Sequence, residues 1–459
     1  MNMNNVKKIY FIGIGGSSMS GLASIMLSRG YEIFGSDMQT SDATETLINQ
    51  GVKVFFGHDR QHIIDIKPDI VIITEAIMQT NPELIAVKKF NIPLYYRKNL
   101  LSYILDDYKC TIGVAGTHGK TTTTSMIESI LSAADKDPSA LIGGKSTRLN
   151  ASYKVGNNQD FCVFESCEYK DQFLSFHSDI SIILNIAEDH MEYFKTADNL
   201  IASFRKYLDN TRENGTVIAN AECIYSQNML KNYSGKVITF GLEKGDITAK
   251  NVVLTNGLPI FDVYINNSFY AKIELSVPGL HNVKNALAAV CAVHILNLEK
   301  NDIINGLKNF SGVVRRFEYH CKINGAIIAD DYAHHPDAYA VTFETARLLG
   351  FKRIIAIHQP HTFSRTKMMM KEFTDILKTV DLVLIPPIYA ARETNDDYQI
   401  FSEDIVKVLP NAELMRDFDH IAERVKELAQ PGDLFITLGC GDIYKAAKLI
   451  NLKYGEKLN

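Results

Sequence analysis

Twice in this chain of 459 residues a short β-branched run breaks into glycines and passes straight into a helix-forming stretch. Lys8–Ile14 leads through Gly13, Gly15 and Gly16 into residues 19–28, and Thr111–Ala115 leads through Gly116 and Gly119 into a stretch ending near Ala133. Glycine at such a turn lets the backbone close tightly and aims the free N–H groups of the helix start at an anion. A strand that feeds a helix in this way belongs to a parallel sheet covered by helices, and the rest of the chain keeps that alternation.

The apolar runs cluster in three sets. Lys8–Ile14, Tyr31–Ser36, Ile70–Thr74 and Pro93–Tyr95 form the first; Thr111–Ala115, Phe161–Glu165, Ile180–Asn185 and Thr216–Asn220 form the second. Ala326–Asp330, Arg353–His358, Leu382–Pro386 and Asp433–Leu438 form the third. Between Gly241 and Val277 the pattern turns to short alternating strands around Asn-Gly at 256–257 and Asn-Asn at 266–267, which predicts antiparallel hairpins added to the second sheet. The expected fold is α/β in three domains: residues 1–107 Rossmann-like, 108–312 P-loop ATPase-like with a mainly parallel sheet plus antiparallel strands, and 313–459 Rossmann-like again.

With 46% apolar and 22% charged residues the chain has material for several cores. A net charge of -5 offers no basic excess to neutralise phosphates, so no nucleic-acid partner is expected. The seven cysteines form no CxxC pair, which reads as free thiols in a reducing, cytoplasmic setting. Lys7-Lys8 precede an apolar run too short for a signal peptide, and no stretch approaches the roughly 20 apolar residues of a membrane span, so no membrane insertion is expected.

The first loop, Gly13 to Gly21, suits a nucleotide diphosphate, with Ser36-Asp37 at the end of the next strand as a ribose-type acid. Ser18 stands where a dinucleotide fingerprint has its third glycine, and a purely structural strand-turn-helix fits the loop equally. The second loop, Gly116-Thr117-His118-Gly119-Lys120-Thr121-Thr122, is more specific. Its backbone N–H groups would cradle phosphates, Lys120 would reach the β- and γ-phosphates, and the Thr121 hydroxyl would ligate Mg²⁺. Val114 departs from the strict P-loop spelling.

Glu165 ends one strand of the second set and His190 follows another, in Asn-Ile-Ala-Glu-Asp-His. Ligands gather outside the carboxyl ends of parallel strands, so both are expected beside Lys120, as ligands to one or two metal ions. Read singly, each fits a solvated strand end or a packing residue as well. Asn282 and Asn285, three apart on one helical face, suit a purine edge, or else cap the helix. In the third set, Asp330-Asp331-Tyr332-Ala333-His334-His335-Pro336 ends one strand, Gln359 to Thr366 follows another, and Pro386–Glu393 and Gly439–Asp442 follow two more. Arg365 suits an anionic substrate group; Arg315-Arg316 reads as a hinge or a solvated pair.

Thr-His-Gly-Lys-Thr-Thr and Asp-Asp-Tyr-Ala-His-His-Pro, in this order and together with the loops above, resemble the Mur ligases of bacterial peptidoglycan synthesis over essentially the whole chain. The resemblance implies an ATP- and Mg²⁺-dependent enzyme that joins L-alanine to the lactyl carboxylate of UDP-N-acetylmuramate through an acyl phosphate, as a monomer or homodimer. It assigns the first domain to the UDP-sugar, the second to ATP and the third to the amino acid. Gly116, Thr117, His118, Gly119, Lys120, Thr121 and Thr122 would hold ATP phosphate, with Thr121, Glu165 and His190 on the metals. Asn282, Asn285, Arg316 and Asp331 would meet the nucleoside. Gly15, Ser17, Ser18, Asp37 and His58 would contact the UDP moiety, and His334, His335 and Arg365 would line the lactyl and amino-acid end, with His335 taking the amine proton. Two departures stand out: Ser166-Cys167-Glu168-Tyr169-Lys170 replaces an acid-rich stretch, so Glu168 competes with Glu165, and Thr362 stands where arginine is common. A recycling ligase that adds a tripeptide to the same sugar nucleotide, a nicotinamide-dependent reductase built on the first loop, and a non-catalytic nucleotide-binding regulator are the alternatives.

Overall fold

The computed structural model describes residues 1–255, 257–391 and 393–458, with Glu192 described through its backbone alone. Asn256 of the expected Asn-Gly turn and Arg392 of the loop Pro386–Glu393 lie outside the described residues.

Three sheets form. The first holds β1 (Lys8–Ile12), β2 (Glu32–Asp37), β3 (Lys53–Phe56), β4 (Ile70–Ile73) and β5 (Leu94–Tyr96), in the order β3-β2-β1-β4-β5. All its pairings are parallel. Chain order reverses between β1 and β4, and the first glycine loop leaves β1 at that point, where open α/β sheets keep their binding crevice.

The second sheet holds β6 (Cys110–Ala115), β7 (Ser139–Ser146), β8 (Ala151–Lys154), β9 (Phe161–Glu165), β10 (Ile180–Ile183), β11 (Thr216–Asn220) and β12 (Lys236–Gly241). It adds β13 (Ile247–Thr255), β14 (Leu258–Ile265) and β15 (Ser268–Glu274), giving the order β15-β14-β13-β12-β11-β10-β6-β9-β7-β8. β7 and β8 pair antiparallel, whereas β6 runs parallel to both its neighbours. The third sheet holds β16 (Glu318–Ile323), β17 (Ala326–Asp331), β18 (Arg353–His358), β19 (Leu382–Ile385), β20 (Ala412–Leu414) and β21 (Asp433–Leu438), ordered β16-β17-β21-β18-β19-β20. Only the β16–β17 pair is antiparallel among its described pairings.

Two compact units result. One comprises Met1–Asn251, Phe261–Glu274 and Asn282–Ser311; the other comprises Val252–Ile260, Leu275–His281 and Gly312–Asn459. In the first unit a continuous core joins the first sheet to the second, running from Ile9, Phe11, Leu22 and Met26 to Leu141, Tyr153, Phe164 and Phe204. Gly21 lets the helix Ser17–Ser28 approach the β7–β8 hairpin: a Cβ there would lie 2.6 Å from Leu141 Cδ2 and 2.9 Å from Tyr153 Cβ. Ser24 Oγ donates to Tyr153 OH at 2.7 Å in the same contact. In the second unit apolar side chains fill both faces of the third sheet, Ile328, Ile355 and Phe435 on one and Ala329, Ala356 and Ile436 on the other. Among the described residues no helix is long and apolar enough to cross a membrane, and all seven cysteines are free.

Candidate active site

β6 lies between β9 and β10, with Val114 opposite Glu165 and Ala115 opposite Ile183. Three parallel strands therefore end together, and their following loops share one rim. Gly116 and Gly119 both have positive φ, 134° and 88°, which bends the loop between β6 and the helix Lys120–Ala133. Only glycine takes those angles without a Cβ penalty. A Cβ on Gly119 would also strike Asn285 Oδ1 at 2.5 Å. The loop after β10 is tied to this turn: His118 N donates to Asn185 Oδ1 at 2.8 Å, Asn185 Nδ2 donates to the His118 carbonyl at 2.9 Å, and Thr117 N donates to the Asn185 carbonyl at 3.0 Å.

Lys120 Nζ donates to the carbonyls of Gly116 and Thr117 and to both oxygens of Glu168, at 3.1 and 2.9 Å. Burial pulls the ammonium pKa down, but the Glu168 charge and its hydrogen bonds outweigh that, with Cys167 and Glu165 helping, and the net direction is up. Lys120 is thus a held cation at the mouth of the loop. To meet a phosphate it exchanges one set of oxygens for another.

Glu165 Oε1 accepts from Gly143 N at 2.6 Å, and a Cβ on Gly143 would fall on that carboxylate. The neighbouring β7 strand therefore fixes the Glu165 head group at the rim. His190 adopts a left-handed backbone (φ 57°) at the start of the helix Met191–Phe194, and its ring lies 4.7 Å from the Tyr169 ring. Tyr169 begins the segment after Glu168, which is strained at Lys170 and Asp171, both with positive φ. Tyr193 OH donates to Asp171 Oδ2 at 2.6 Å, so the Glu168 and His190 loops are fastened together. Thr121, Glu165 and Glu168 offer hard oxygen donors that suit Mg²⁺, with His190 on the adjoining loop. Asn282 and Asn285 are buried, and Asn285 Nδ2 donates to Asn282 Oδ1 at 3.1 Å.

On the first sheet, Gly13 N and Ile14 N donate to the Ser36 carbonyl and Gly15 N donates to Asp37 Oδ2 at 2.8 Å. Asp37 therefore shapes the glycine loop, whereas Ser17 and Ser18 begin the helix behind it. His58 Nδ1 faces Ser36 Oγ and Glu83 Oε2, both at 3.0 Å. Glu83 is fully buried and also accepts from Tyr10 OH at 2.7 Å and faces His62 Nδ1 at 2.8 Å.

In the second unit Asp331 accepts from Phe317 N at 2.9 Å and Ala333 N at 2.7 Å; burial raises its pKa against the pull of Arg316. Arg315 is no solvated pair-mate: its Nε donates to buried Asp330 Oδ2 at 2.8 Å and its Nη2 to the Gly439 carbonyl at 2.7 Å. Arg316 lies over the Tyr332 ring, 5.5 Å from its centre. His334 Nδ1 meets the Tyr332 carbonyl at 2.9 Å, and Arg365 Nη1 donates to the His334 carbonyl at 3.5 Å. His335 caps the helix Pro336–Leu348, its Nδ1 accepting from Asp337 N at 3.3 Å. With that bond made, the neutral ring carries its proton on Nε2 and is a donor there.

Three family models account for most of the chain. The Mur ligase family catalytic domain matches residues 8–109, the Mur ligase middle domain 114–293, and the Mur ligase glutamate ligase domain 315–441. The chain belongs to the Mur ligase family. It is therefore an enzyme, an ATP-dependent ligase that forms amide bonds. It is 40% identical to a UDP-N-acetylmuramate–L-alanine ligase of Clostridium tetani, over 97% of this chain and 98% of that one. The crystal structure of a UDP-N-acetylmuramate–alanine ligase from Thermotoga maritima superposes with a TM-score of 0.82 at 29% identity, covering 97% of this chain and 98% of that one. A murein peptide ligase from Psychrobacter arcticus shares the fold, with a TM-score of 0.75 at 23% identity over 99% and 100% of the chains. Within this Mur ligase, the sequence points to the phosphate loop, Glu165 and His190 at one rim but does not single out Asn185, nor Glu168 as the lysine's partner. Asn185 is visible in the sequence as the first residue of the His190 motif.

Proposed function

We propose that this chain joins L-alanine to the lactyl carboxylate of UDP-N-acetylmuramate, using ATP and Mg²⁺, in peptidoglycan precursor synthesis in the cytoplasm, as a monomer or homodimer. What carries the reading is the meeting of the Gly116–Thr122 loop, the Glu165–Glu168 loop and the Asn185–His190 loop at one rim. Residues 1–107 would take the UDP-sugar through Gly15, Ser17, Ser18, Asp37 and His58. Residues 108–312 would take ATP through the phosphate loop, with Asn282 and Asn285 at the adenine, and residues 313–459 would take the amino acid. Arg316 and Asp331 would reach the nucleoside, and His334, His335 and Arg365 the lactyl and amino-acid groups.

The chemistry follows in two stages. The lactyl carboxylate attacks the γ-phosphorus of ATP in line, giving an acyl phosphate and ADP; the amine of L-alanine then attacks the activated carbonyl, and phosphate leaves. Lys120 gives up Glu168 for phosphate oxygens, and the loop N–H groups hold the same charge, so positioning and neutralisation supply most of the rate. Thr121, Glu165 and His190 are the residues to hold Mg²⁺, which when bound offsets charge on the migrating phosphoryl group and the attacking carboxylate. His335 takes the amine proton at Nδ1 once it leaves its cap.

Purified protein given UDP-N-acetylmuramate, ATP and L-alanine should release phosphate, and Lys120→Ala should cut that release by at least about 10²–10³. Full activity in the variant would end the phosphate-loop assignment. Replacing L-alanine with the tripeptide separates the recycling ligase from the activity named for the Clostridium tetani relative at 40% identity.

A further inference from the structure

Arg97 follows β5 directly and opens the helix Arg97–Leu105, partly buried. Its Nη1 donates to Ser18 Oγ at 3.0 Å and its Nη2 donates to Gln172 Oε1. Ser18 lies in the first turn after the glycine loop, and Gln172 lies in the segment Tyr169–Ser175 just past Glu168. One guanidinium thus reaches from the rim of the first sheet to the rim of the second.

Its two partners are neutral, and among the described residues no carboxylate stands within ion-pairing distance of it. Withdrawal from water pulls its pKa down, while the more distant Cys167 and Glu165 pull the other way. A guanidinium has five N–H donors in one plane, and two bonds to neutral oxygens fix that plane without offsetting the charge. If the residue served only to tie two rims together, a neutral amide could bridge a hydroxyl and a glutamine oxygen with no charge to desolvate. A cation set in this way, between the turn after a diphosphate-type loop and the segment that follows Glu168, is arranged for an anion that reaches from one rim to the other.

We propose that Arg97 is a substrate-binding residue whose guanidinium forks onto an oxyanion of the sugar nucleotide, either its diphosphate or its lactyl carboxylate. The inference deepens the function proposed above and rests on it. Ser18 and Gln172 act as positioning residues that hold the fork in plane.

Calorimetric titration of wild type, Arg97→Gln and Arg97→Lys with UDP-N-acetylmuramate tests it, with UDP-N-acetylglucosamine, which lacks the lactyl carboxylate, as the second ligand. If the wild type fails to bind UDP-N-acetylmuramate, the proposed function falls, and this inference with it. If it binds, Arg97→Gln should weaken binding about 10–100-fold, the worth of a charge-assisted hydrogen-bonded contact. Arg97→Lys, which keeps the charge but loses the fork, should fall between. A parallel loss for UDP-N-acetylglucosamine assigns the diphosphate; an unchanged affinity for it assigns the lactyl carboxylate. ATP affinity should not move, which a merely misfolded variant would not satisfy, and should Arg97→Gln fail to fold, Arg97→Lys carries the test. A folded variant that binds UDP-N-acetylmuramate within about twofold of wild type overturns the inference.

Discussion

Lys120 shows how a single side chain can be ready for phosphate without being left bare. Glu168, 3% exposed, holds it at 2.9 Å, and two loop carbonyls complete its shell. Removing one partner of such a pair leaves a buried charge uncompensated. Glu168→Gln keeps one acceptor oxygen but loses the charge, so a cost of about 3 kcal/mol is expected, read as a lower urea midpoint. With the carboxylate gone, burial acts more strongly on the ammonium and its pKa moves down. The alkaline limb of phosphate release should therefore shift to lower pH; an unmoved limb would show that Glu168 does not set the lysine's charge. Lys120 and both glutamates were legible in the sequence, but the pairing was not. It depends on β9 lying beside β6 with Val114 opposite Glu165, a register that no local pattern encodes. His58 is a similar case. It read as a UDP contact, and the structure turns its Nδ1 toward Glu83, a helix residue that nothing local marks as buried.

Among the elements, the helix Ser17–Ser28 carries most of the consequence, because it starts at one site loop and lies against the β7–β8 hairpin. Gly21 makes that closeness possible. Gly21→Ala gains helix propensity, worth roughly 1 kcal/mol, yet sets a methyl 2.9 Å from Tyr153 Cβ, which can move only with its strand. Overpacking of this kind costs about 1–3 kcal/mol, so net destabilisation is expected in urea unfolding. The displaced helix should also weaken sugar-nucleotide binding; unchanged stability and affinity together would mean that the hairpin yields freely. Strands whose apolar runs are unbroken were readable: Phe161–Glu165, Thr216–Asn220, Arg353–His358 and Asp433–Leu438 form as read. β3, β7, β8 and β20 were not. Lys53–Phe56 is half-exposed, Gly143 and Gly144 dilute the run in β7, and Ala412–Leu414 is a short edge strand, so none carries a clean period of two.

Acid should act on the whole molecule through different windows in its two units. In the second unit His358 is 2% exposed, with Tyr339 OH 2.7 Å from its Nδ1, and burial pushes its pKa down to about 3. Unfolded, the same ring takes a proton near its ordinary value of 6.5. The unfolded state therefore binds one more proton between those limits, and stability falls as pH drops through them, by about 1.4 kcal/mol per pH unit well below the upper limit. In the first unit Asp69 accepts from Lys7 N and Lys8 N, each at 2.8 Å, anchoring the start of β1. Those backbone bonds lower its pKa below 3.8. Its contribution is complete above that value and is lost only as pH falls through the lower, folded-state value. Hydrogen exchange, corrected for intrinsic rates, should show β18 and β21 losing protection from about pH 6 downward while β1 keeps its own contribution until below about pH 4. His358→Gln, which can still accept from Tyr339, should flatten the first loss by the slope of one proton. If β18 and β21 keep the same pH dependence in that variant, the acid sensitivity of the second unit has another source.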